Sequence, residues 1–324
     1  MNAATARPSV NRNVAPMVAS LLEHRNELRL GVRRHESGAT LVDAGIRASG
    51  GLEAGRRIAE ICMGGLGQVQ LTTGNGRWPI AVSVSASDPV LACLASQYAG
   101  WSLASGSGKD RFAALGSGPA RALAAKEALF DELGYRDEAP STCLVLEVDR
   151  EPPMEVVQKV VQDCRVAPEQ LTIVLTPTRS LAGMVQIIAR ILEVGLHKAH
   201  ALGFALDAVV DGSGSAPLAP PAPDFLTAMG RSNDAILFGG TLQLYVRCED
   251  AAAENLATQM PCQASRDYGK PFEEIFKDYD YDFYKIDPML FAPAVAVVTN
   301  VASGRTFRAG GLNDGLLAQS FGDR

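Results

Sequence analysis

The chain has 324 residues, of which 47% are hydrophobic, so it is long enough for one large domain or two ordinary ones. Its 30 basic and 36 acidic residues give a net charge of −6, which argues against nucleic acid or an anionic membrane as the main partner. No stretch approaches the ~20 apolar residues that a membrane helix requires.

The predicted elements of the first 100 residues alternate between helices and strands. Residues 1–17 lack the apolar core of a signal peptide, and we expect a frayed leader there. Residues 18–30 have helical spacing, and the stretch from Gly38 is typical of a strand and turn. A helix is predicted from Leu52 to the glycine pair at Gly64. Strand 80–84 and a helix that opens with Asp88 and Pro89 follow.

The next segment, LGSGPARALAAKE, runs from a Gly-Ser-Gly turn directly into a predicted strong helix. Free backbone N–H groups and the positive end of a helix dipole make such a turn able to bind an anion or a polar ring edge. A glycine turn that only tightens a strand-to-helix junction is an equal alternative.

The middle of the chain continues the alternation, with strand 145–148, helix 155–166 and the buried strand 171–175. This order predicts an α/β protein. The proline-rich segment 213–224 is predicted to be a surface loop or hinge.

A helix is predicted over residues 181–202, with Ser180 placed to cap it. It is apolar around most of its circumference, and five polar residues fall on one narrow stripe because their spacing is four, three, four and three. They are Gln186, Arg190, Glu193, His197 and His200. The stripe is either an ordinary solvent-facing edge with a weak surface pair or the polar wall of a cleft.

Cysteines, histidines and aromatic residues give weaker indications. The six cysteines are scattered, which fits reduced thiols in a cytoplasmic protein. With four histidines and no HExxH pattern, no metal site is predicted. Eight aromatic residues lie between residues 268 and 291, a density typical of a core or a subunit interface and less often of a stacking wall for a flat heterocycle.

Six stretches together resemble the methenyltetrahydromethanopterin cyclohydrolase family, in the same order and over residues 53–300. They are EAGRRIAEICMGGLGQV, LACLASQYAGW, LGSGPARALAAKE, LTPTRSLAGMVQIIARILEVGLHK, AMGRSNDAILFGG and YGKPFEEIFKDYDYDFYKIDPMLFAPA. The chain departs from the family pattern at Met184, Val194 and Leu115, and these departures leave the reacting groups in place.

The resemblance implies two α/β domains side by side, flanking a large pocket, in a subunit that assembles as a homotrimer. We assign residues 1–150 and 151–324 to the two domains, with a soft boundary because either could be discontinuous. The implied reaction is the reversible hydrolysis of a methenyl-pterin to its formyl derivative in one-carbon metabolism. It would use a tetrahydromethanopterin-type carrier as substrate, without a metal or a tightly bound cofactor.

The family's reacting pair maps onto Arg190 and Glu193. The resemblance therefore favours the interpretation of the polar stripe as the wall of a cleft. Glu193 would activate water, and Arg190 would orient it. Further candidates for contacts with the pterin are Gly116, Ser117, Gly118, Arg121, Gln97, Tyr98, Arg231, Asn233 and Asp234. For several of them the alternative is core packing or an ordered turn. His197 and His200 are expected to be structural hydrogen-bonding residues.

Two other functional classes stay open on the sequence. One is a small-molecule kinase whose Gly-Ser-Gly turn holds the phosphates of ATP. The other is a pterin carrier or regulator that binds the methenyl form without hydrolysing it.

Overall fold

The computed structural model of the protein describes residues 7–74, 77–108 and 111–322. The strands are β1 (Gly31–Arg34), β2 (Thr40–Asp43), β3 (Gly67–Thr73), β4 (Ile80–Ala86), β5 (Trp101–Ser105), β6 (Phe112–Ser117), β7 (Thr142–Leu146), β8 (Leu171–Leu175), β9 (Val209–Pro217), β10 (Thr241–Val246), β11 (Val295–Asn300) and β12 (Thr306–Gly310).

The α-helices are α1 (Val10–Glu23), α2 (Leu52–Cys62), α3 (Ala120–Ala124), α4 (Leu129–Leu133), α5 (Met154–Cys164), α6 (Leu181–Ile188), α7 (Ile191–Ala201), α8 (Phe225–Gly239), α9 (Asp250–Gln259), α10 (Phe272–Asp278) and α11 (Asp314–Phe321). A π-helix covers Val90–Gln97, and short 3₁₀ turns connect other elements.

The described strands form two six-stranded sheets. The first sheet has the order β1-β2-β8-β7-β6-β5, and the second has the order β12-β11-β10-β9-β4-β3. Strands β2, β8 and β7 are parallel neighbours, whereas β6 runs antiparallel to β7. Helices pack on the sheets, so the prediction of an α/β fold is confirmed.

Both faces of the first sheet are covered, which explains why every residue of β7 and β8 is buried. Leu144 and Ile173 pack on one face with Val157 of α5. Val145 and Val174 pack on the other face with residues of α1 and α2. The largest apolar core lies around the second sheet and includes residues of α6, α7 and α8.

A division of the chain at residue 150 does not follow the two sheets. Strands β3 and β4 precede that residue but belong to the second sheet, whereas β8 follows it and lies in the first. Each sheet is built from segments that are discontinuous in the chain, so no single boundary residue separates the two sheets.

The first helix begins earlier than predicted. Helix α1 starts at Val10 and ends at Glu23, and residues 24–29 are turns. The expected leader is therefore helical from residue 10, while residues 1–6 lie outside the described residues. Asn11 anchors this end, since its backbone and side-chain N–H groups donate to Asp137 at 2.9 and 2.8 Å. Such a distant partner leaves no local trace in the sequence.

Two other predictions need correction. The strong helix expected after the Gly-Ser-Gly turn ends after five residues, at Ala124, because Ala125 takes a left-handed conformation. The proline-rich segment begins inside β9, which is a central strand, and becomes a loop only after Pro217. By contrast, the predictions of α2, β8 and a cap at Ser180, whose hydroxyl accepts from the Gly183 amide at 2.9 Å, are confirmed.

Candidate active site

The helix predicted over residues 181–202 is interrupted in the middle of the polar stripe. Helix α6 ends at Ile188, and Arg190 is the N-cap of α7. The carbonyl of Ala189 accepts a hydrogen bond at 3.2 Å from the Gln97 side chain. A side chain that inserts into the backbone ladder breaks a helix, so the interruption has a specific cause.

The interruption places Arg190 and Glu193 together in the interior. Arg190 Nη1 lies 3.5 Å from Glu193 Oε2, and their side chains are only 11% and 6% exposed. Glu193 lies in the first turn of α7, where the helix dipole favours a carboxylate. The alternative of an ordinary surface pair is therefore wrong.

The backbone carbonyl of Gln97 fixes the guanidinium. It ends the π-helix and accepts hydrogen bonds from Arg190 Nη1 and from the Ser117 hydroxyl, both at 2.6 Å. The π-helical turn is closed by the Tyr98 amide, which donates to the Cys93 carbonyl five residues earlier at 2.7 Å. The structure thus brings together four predicted residues: Gln97, Ser117, Arg190 and Glu193.

Two fully buried amide side chains near this pair have unpartnered polar atoms. Gln97 Oε1 accepts no hydrogen bond, and neither amide atom of Gln186 has a partner among the described residues. Gln186 lies in α6, four residues before Arg190 in the chain. Buried polar groups are almost always paired, so unpaired ones at one place indicate a site built for polar ligands or water.

Glu147 is a further candidate that the sequence reasoning missed. It directly follows β7 and accepts a hydrogen bond from the Thr178 hydroxyl, just beyond the end of β8. Glu147 is exposed, yet partial desolvation of its carboxyl raises the pKa of Glu147, and Thr178 and the Arg190 guanidinium oppose that rise. A lone carboxylate at the end of the apolar run LVL was the available signal, because ligands bind beyond the carboxyl ends of parallel strands.

Glu147 and Thr178 line an open cleft of about 540 Å³ at this edge of the first sheet. The cleft is also lined by residues 223–225, at the start of α8, which packs on the second sheet. A larger concavity lies elsewhere on the surface, but this one is lined by Glu147, whose pKa the charge of the Arg190 guanidinium lowers. We call it the cleft.

Comparison with known proteins identifies the family. The model of the cyclohydrolase (MCH) family matches residues 9–321. The methenyltetrahydromethanopterin cyclohydrolase of Methylobacillus flagellatus is 58% identical over 320 residues, covering 98% of this chain and 97% of the relative. The chain belongs to the cyclohydrolase (MCH) family.

Two further relatives carry the same name. The protein of Xanthobacter autotrophicus is 59% identical over 311 residues, covering 95% of this chain and 91% of the relative. The protein of Methanothermobacter marburgensis is 41% identical over 321 residues, covering 97% and 99%. The resemblance seen in the sequence is confirmed, and the chain is an enzyme of the hydrolase class.

The Gly-Ser-Gly segment of the cyclohydrolase does not form the predicted anion-binding turn. Gly116 and Ser117 are the last residues of β6, and the Gly118 amide donates to the Ser96 carbonyl at 2.9 Å. Ser117 is 2% exposed. Because the amides are used internally and α3 is only five residues long, nothing supports the kinase alternative.

Arg121 and Tyr98 support the site from within the protein. The Arg121 guanidinium is fully buried, donates to the carbonyls of Leu94 and Ser96 at 3.0 and 3.2 Å, and pairs with Glu127. It also lies 5.1 Å from the centre of the Tyr98 ring. That ring stacks on His197 at 4.9 Å. Core packing, the alternative for Tyr98, fits these contacts, and the Arg121 guanidinium is engaged within the protein.

The three candidates on α8 have structural partners away from the pair. Arg231 donates to the Pro221 carbonyl at 2.6 Å, and Asn233 donates to Met229 at 2.9 Å. Asp234 accepts from the Phe272 amide at 2.9 Å, and its burial raises its pKa to about 7. None of their hydrogen bonds within the described residues reaches Arg190 or Glu193, and their contact with the pterin stays a prediction.

The remaining predictions have mixed outcomes. Phe272 is buried and packs against Phe276, Phe283 and Phe291, as expected of a core. His200 pairs with Glu132 at 2.7 Å. Residues 7–74, 77–108 and 111–322 contain no cluster of three metal-ligating side chains and no helix that could span a membrane. That the reaction needs no metal stays a prediction.

Proposed function

We propose that this cyclohydrolase hydrolyses the methenyl bridge of methenyl-tetrahydromethanopterin, or a close variant, to the 5-formyl derivative. The step would be reversible and part of one-carbon metabolism. The names of the relatives support the substrate class. The observation that carries the chemistry is the buried Arg190–Glu193 pair, held by the Gln97 carbonyl.

The substrate explains why a carboxylate would be used. The methenyl carbon bridges two nitrogens and shares a delocalised positive charge, so it is already electrophilic. What remains to be supplied is a positioned water and a group that accepts its proton. Glu193 would do both, since a buried carboxylate also stabilises the neighbouring cation before the attack.

The reaction then proceeds in two balanced steps. Water oxygen bonds to the methenyl carbon while Glu193 takes one proton, which gives a neutral tetrahedral carbinolamine. The C–N bond to one nitrogen then breaks as that nitrogen receives a proton, the hydroxyl proton leaves, and the carbon remains on the other nitrogen as a formyl group. The net release is one proton, and Glu193 could return the proton that it took.

Arg190 would act on Glu193 rather than on the substrate alone. Its hydrogen bond to the Gln97 carbonyl fixes the guanidinium, and the guanidinium in turn fixes the carboxylate. Glu147 would be the second acid-base group, because a carboxyl with a raised pKa holds a proton closer to neutral pH. Its position in the lining of the cleft supports this role.

The test is an absorbance assay with the purified protein. Loss of the near-ultraviolet methenyl band with methenyl-tetrahydromethanopterin, and a much slower loss with methenyl-tetrahydrofolate, is the expected result. Tight binding with an unchanged band would instead favour the carrier alternative. A thermal shift with magnesium-ATP but none with the pterin would favour the kinase alternative. The same assay, repeated after extensive chelation, tests the proposal that neither a metal nor a bound cofactor is required.

We propose the homotrimer that the resemblance implies, and we assign its contacts to the outer face of the second sheet. One row of that face is Gln68, Ser85, Ser213 and Gln243, which are neighbours across β3, β4, β9 and β10. The absence of charge in this row is typical of the centre of a subunit interface. Light scattering should give a trimer for the protein and a smaller mass for Ser213→Arg.

A cytoplasmic location is also proposed. All six cysteines are free, and five of them are buried, as expected in a reducing compartment. Cell fractionation tests this location.

A further inference from the structure

The π-helix that ends at Gln97 has an unusually wide last turn. The Tyr98 amide donates to the Cys93 carbonyl at 2.7 Å, five residues earlier, and not to the Leu94 carbonyl that an α-helix would use. The wide turn therefore releases the carbonyl of Leu94, a residue with no exposed surface. An unpaired buried carbonyl destabilises a protein, so this geometry needs a donor from outside the helix.

Arg121 is that donor. Its Nη1 donates to the Leu94 carbonyl at 3.0 Å and to the Ser96 carbonyl at 3.2 Å. Its other edge faces Glu127, which accepts from Nε at 2.9 Å and pairs with Nη2. The Arg121 side chain is fully buried, so a carboxylate on one edge and two helix carbonyls on the other fix its guanidinium. A lysine ammonium could not make this set of contacts.

Neighbouring residues fit this arrangement closely. A Cβ atom on Gly100 would overlap Glu127 Oε2, so only glycine fits at residue 100 while Glu127 holds this position. The Arg121 guanidinium lies 5.1 Å from the centre of the Tyr98 ring, which stacks on His197 at 4.9 Å. The end of the π-helix is thus tied both to Arg121 and to α7, the helix that carries Glu193.

The same turn directs the Gln97 carbonyl at the catalytic pair. That carbonyl accepts from Arg190 Nη1 at 2.6 Å, and the same nitrogen lies 3.5 Å from Glu193 Oε2. If the last turn narrowed to an α-helical one, the carbonyl would rotate about the helix axis. The Arg190 guanidinium would then lose the acceptor that fixes it.

We propose that Arg121 is a positioning residue for the reaction. Together with Glu127, it holds the last turn of the π-helix in its wide form and so directs the Gln97 carbonyl at Arg190, without touching the substrate. Since Glu127 neutralises its charge, Arg121 acts through geometry. This inference rests on the proposed function, because that function assigns the chemistry to the Arg190–Glu193 pair.

The test compares kcat and KM of Arg121→Lys and Glu127→Gln with those of the unmodified protein. A displacement of about 1 Å can lower a rate by about 100-fold, so kcat of Arg121→Lys should fall by about 10- to 100-fold with KM within about threefold. Glutamine keeps the size of Glu127 but not its charge, so kcat of Glu127→Gln should fall by about 3- to 10-fold. If Arg121→Lys does not fold, Glu127→Gln carries the same test.

Arg56→Lys is the matched control. Arg56 also forms a fork with a glutamate, Glu53, at 2.8 and 2.9 Å, and donates to the Val69 carbonyl at 3.3 Å. Its partners lie on α2 and β3, away from the π-helix. The kcat of this variant should change by less than about twofold.

A double-mutant cycle separates positioning from a general effect on the fold. In a protein that already carries Arg190→Lys, the guanidinium that the carbonyl positions is gone, so Arg121→Lys should lower kcat by less than about threefold. Fully additive losses of kcat would show that the two residues act independently. A raised KM with a normal kcat would instead assign Arg121 to contact with the substrate. Either result overturns the inference.

A crystal structure of Arg121→Lys gives a readout that needs no activity. The Tyr98 amide should donate to the Leu94 carbonyl, as in an α-helix, and the Gln97 carbonyl should turn away from Arg190. An unchanged π-helical turn with a normal kcat would overturn the inference and leave the proposed function standing. If the unmodified protein hydrolyses no methenyl-pterin, the proposed function fails, whereas a changed turn in the variant would still support the positioning of Arg190 by Arg121.

Discussion

Substitution of Arg190 by lysine tests how the catalytic pair is held. Arg190 Nη1 serves two oxygens at once, at 2.6 Å from the Gln97 carbonyl and 3.5 Å from Glu193 Oε2. Lysine keeps the charge but is shorter, so its ammonium can reach only one of the two oxygens. One charge-assisted hydrogen bond is worth about 1.5–3 kcal/mol, and each 1.4 kcal/mol of transition-state stabilisation is tenfold in rate.

We therefore expect kcat of Arg190→Lys to fall by about 10- to 100-fold. The assay is the initial loss of near-ultraviolet methenyl absorbance at saturating substrate, with the melting temperature measured in parallel. Arg57→Lys is the matched control, because Arg57 forms an exposed pair with Glu53 at 2.7 Å on α2, and its kcat should change less than twofold. A folded Arg190→Lys variant that retains more than half of kcat would refute the argument.

A companion substitution, Arg190→Leu, separates positioning from stability. It leaves the carboxylate of Glu193, which is only 6% exposed, without a charged partner. Removal of one member of a buried pair costs about 3–5 kcal/mol, so the free energy of unfolding should fall by a similar amount. Urea unfolding measures this loss, and a fall below 1 kcal/mol would show that the pair is solvated.

Three further predictions concern groups around the site. Burial raises the pKa of Asp234 to about 7, from an unfolded value near 4, so the folded protein binds a proton that the unfolded chain releases. The free energy of unfolding should therefore fall by up to roughly 4 kcal/mol as the pH rises from 4 to 8. Urea unfolding of Asp234→Asn should show a weaker dependence on pH. Ser117→Ala removes one of the two hydrogen bonds to the Gln97 carbonyl. We expect the free energy of unfolding to fall by about 1 kcal/mol and kcat to fall a few fold. A larger loss of kcat with unchanged stability would instead indicate that Ser117 contacts the substrate. Glu147→Gln should lower kcat and abolish the fall of kcat at high pH, because that fall would reflect deprotonation of Glu147, whose pKa is raised. An unchanged pH profile of kcat would exclude Glu147 from proton transfer.

Local patterns in the sequence predicted those elements whose causes are themselves local. The apolar run of β8, the hydroxyl cap at Ser180 and the glycine that ends α2 each act within a few residues. The prediction from spacing that Arg190 and Glu193 lie close together is also confirmed, although a break separates α6 from α7. The pair could be predicted because residues three positions apart lie about one helical turn from each other, both in one continuous helix and at the start of α7.

The rest depends on contacts between residues far apart in the chain. Gln97 lies 92 residues from Ala189, and its side chain causes the break that no helical propensity would reveal. The sequence predicted Arg121 as a contact for the pterin, but its buried guanidinium is bound by Glu127 and by two carbonyls that are distant in the chain. Glu147 was overlooked because its importance arises from the order of β7 and β8 in the sheet.

The account is tested most directly by the turnover of Glu193→Gln. Glutamine keeps the size of the side chain but cannot accept the proton of water, so we expect kcat at saturating methenyl-tetrahydromethanopterin to fall by about 10³-fold, or about 4 kcal/mol. Glu132→Gln, which removes the exposed partner of His200, should retain normal kcat. A folded Glu193→Gln enzyme that keeps a tenth or more of kcat would contradict the central role of this carboxylate.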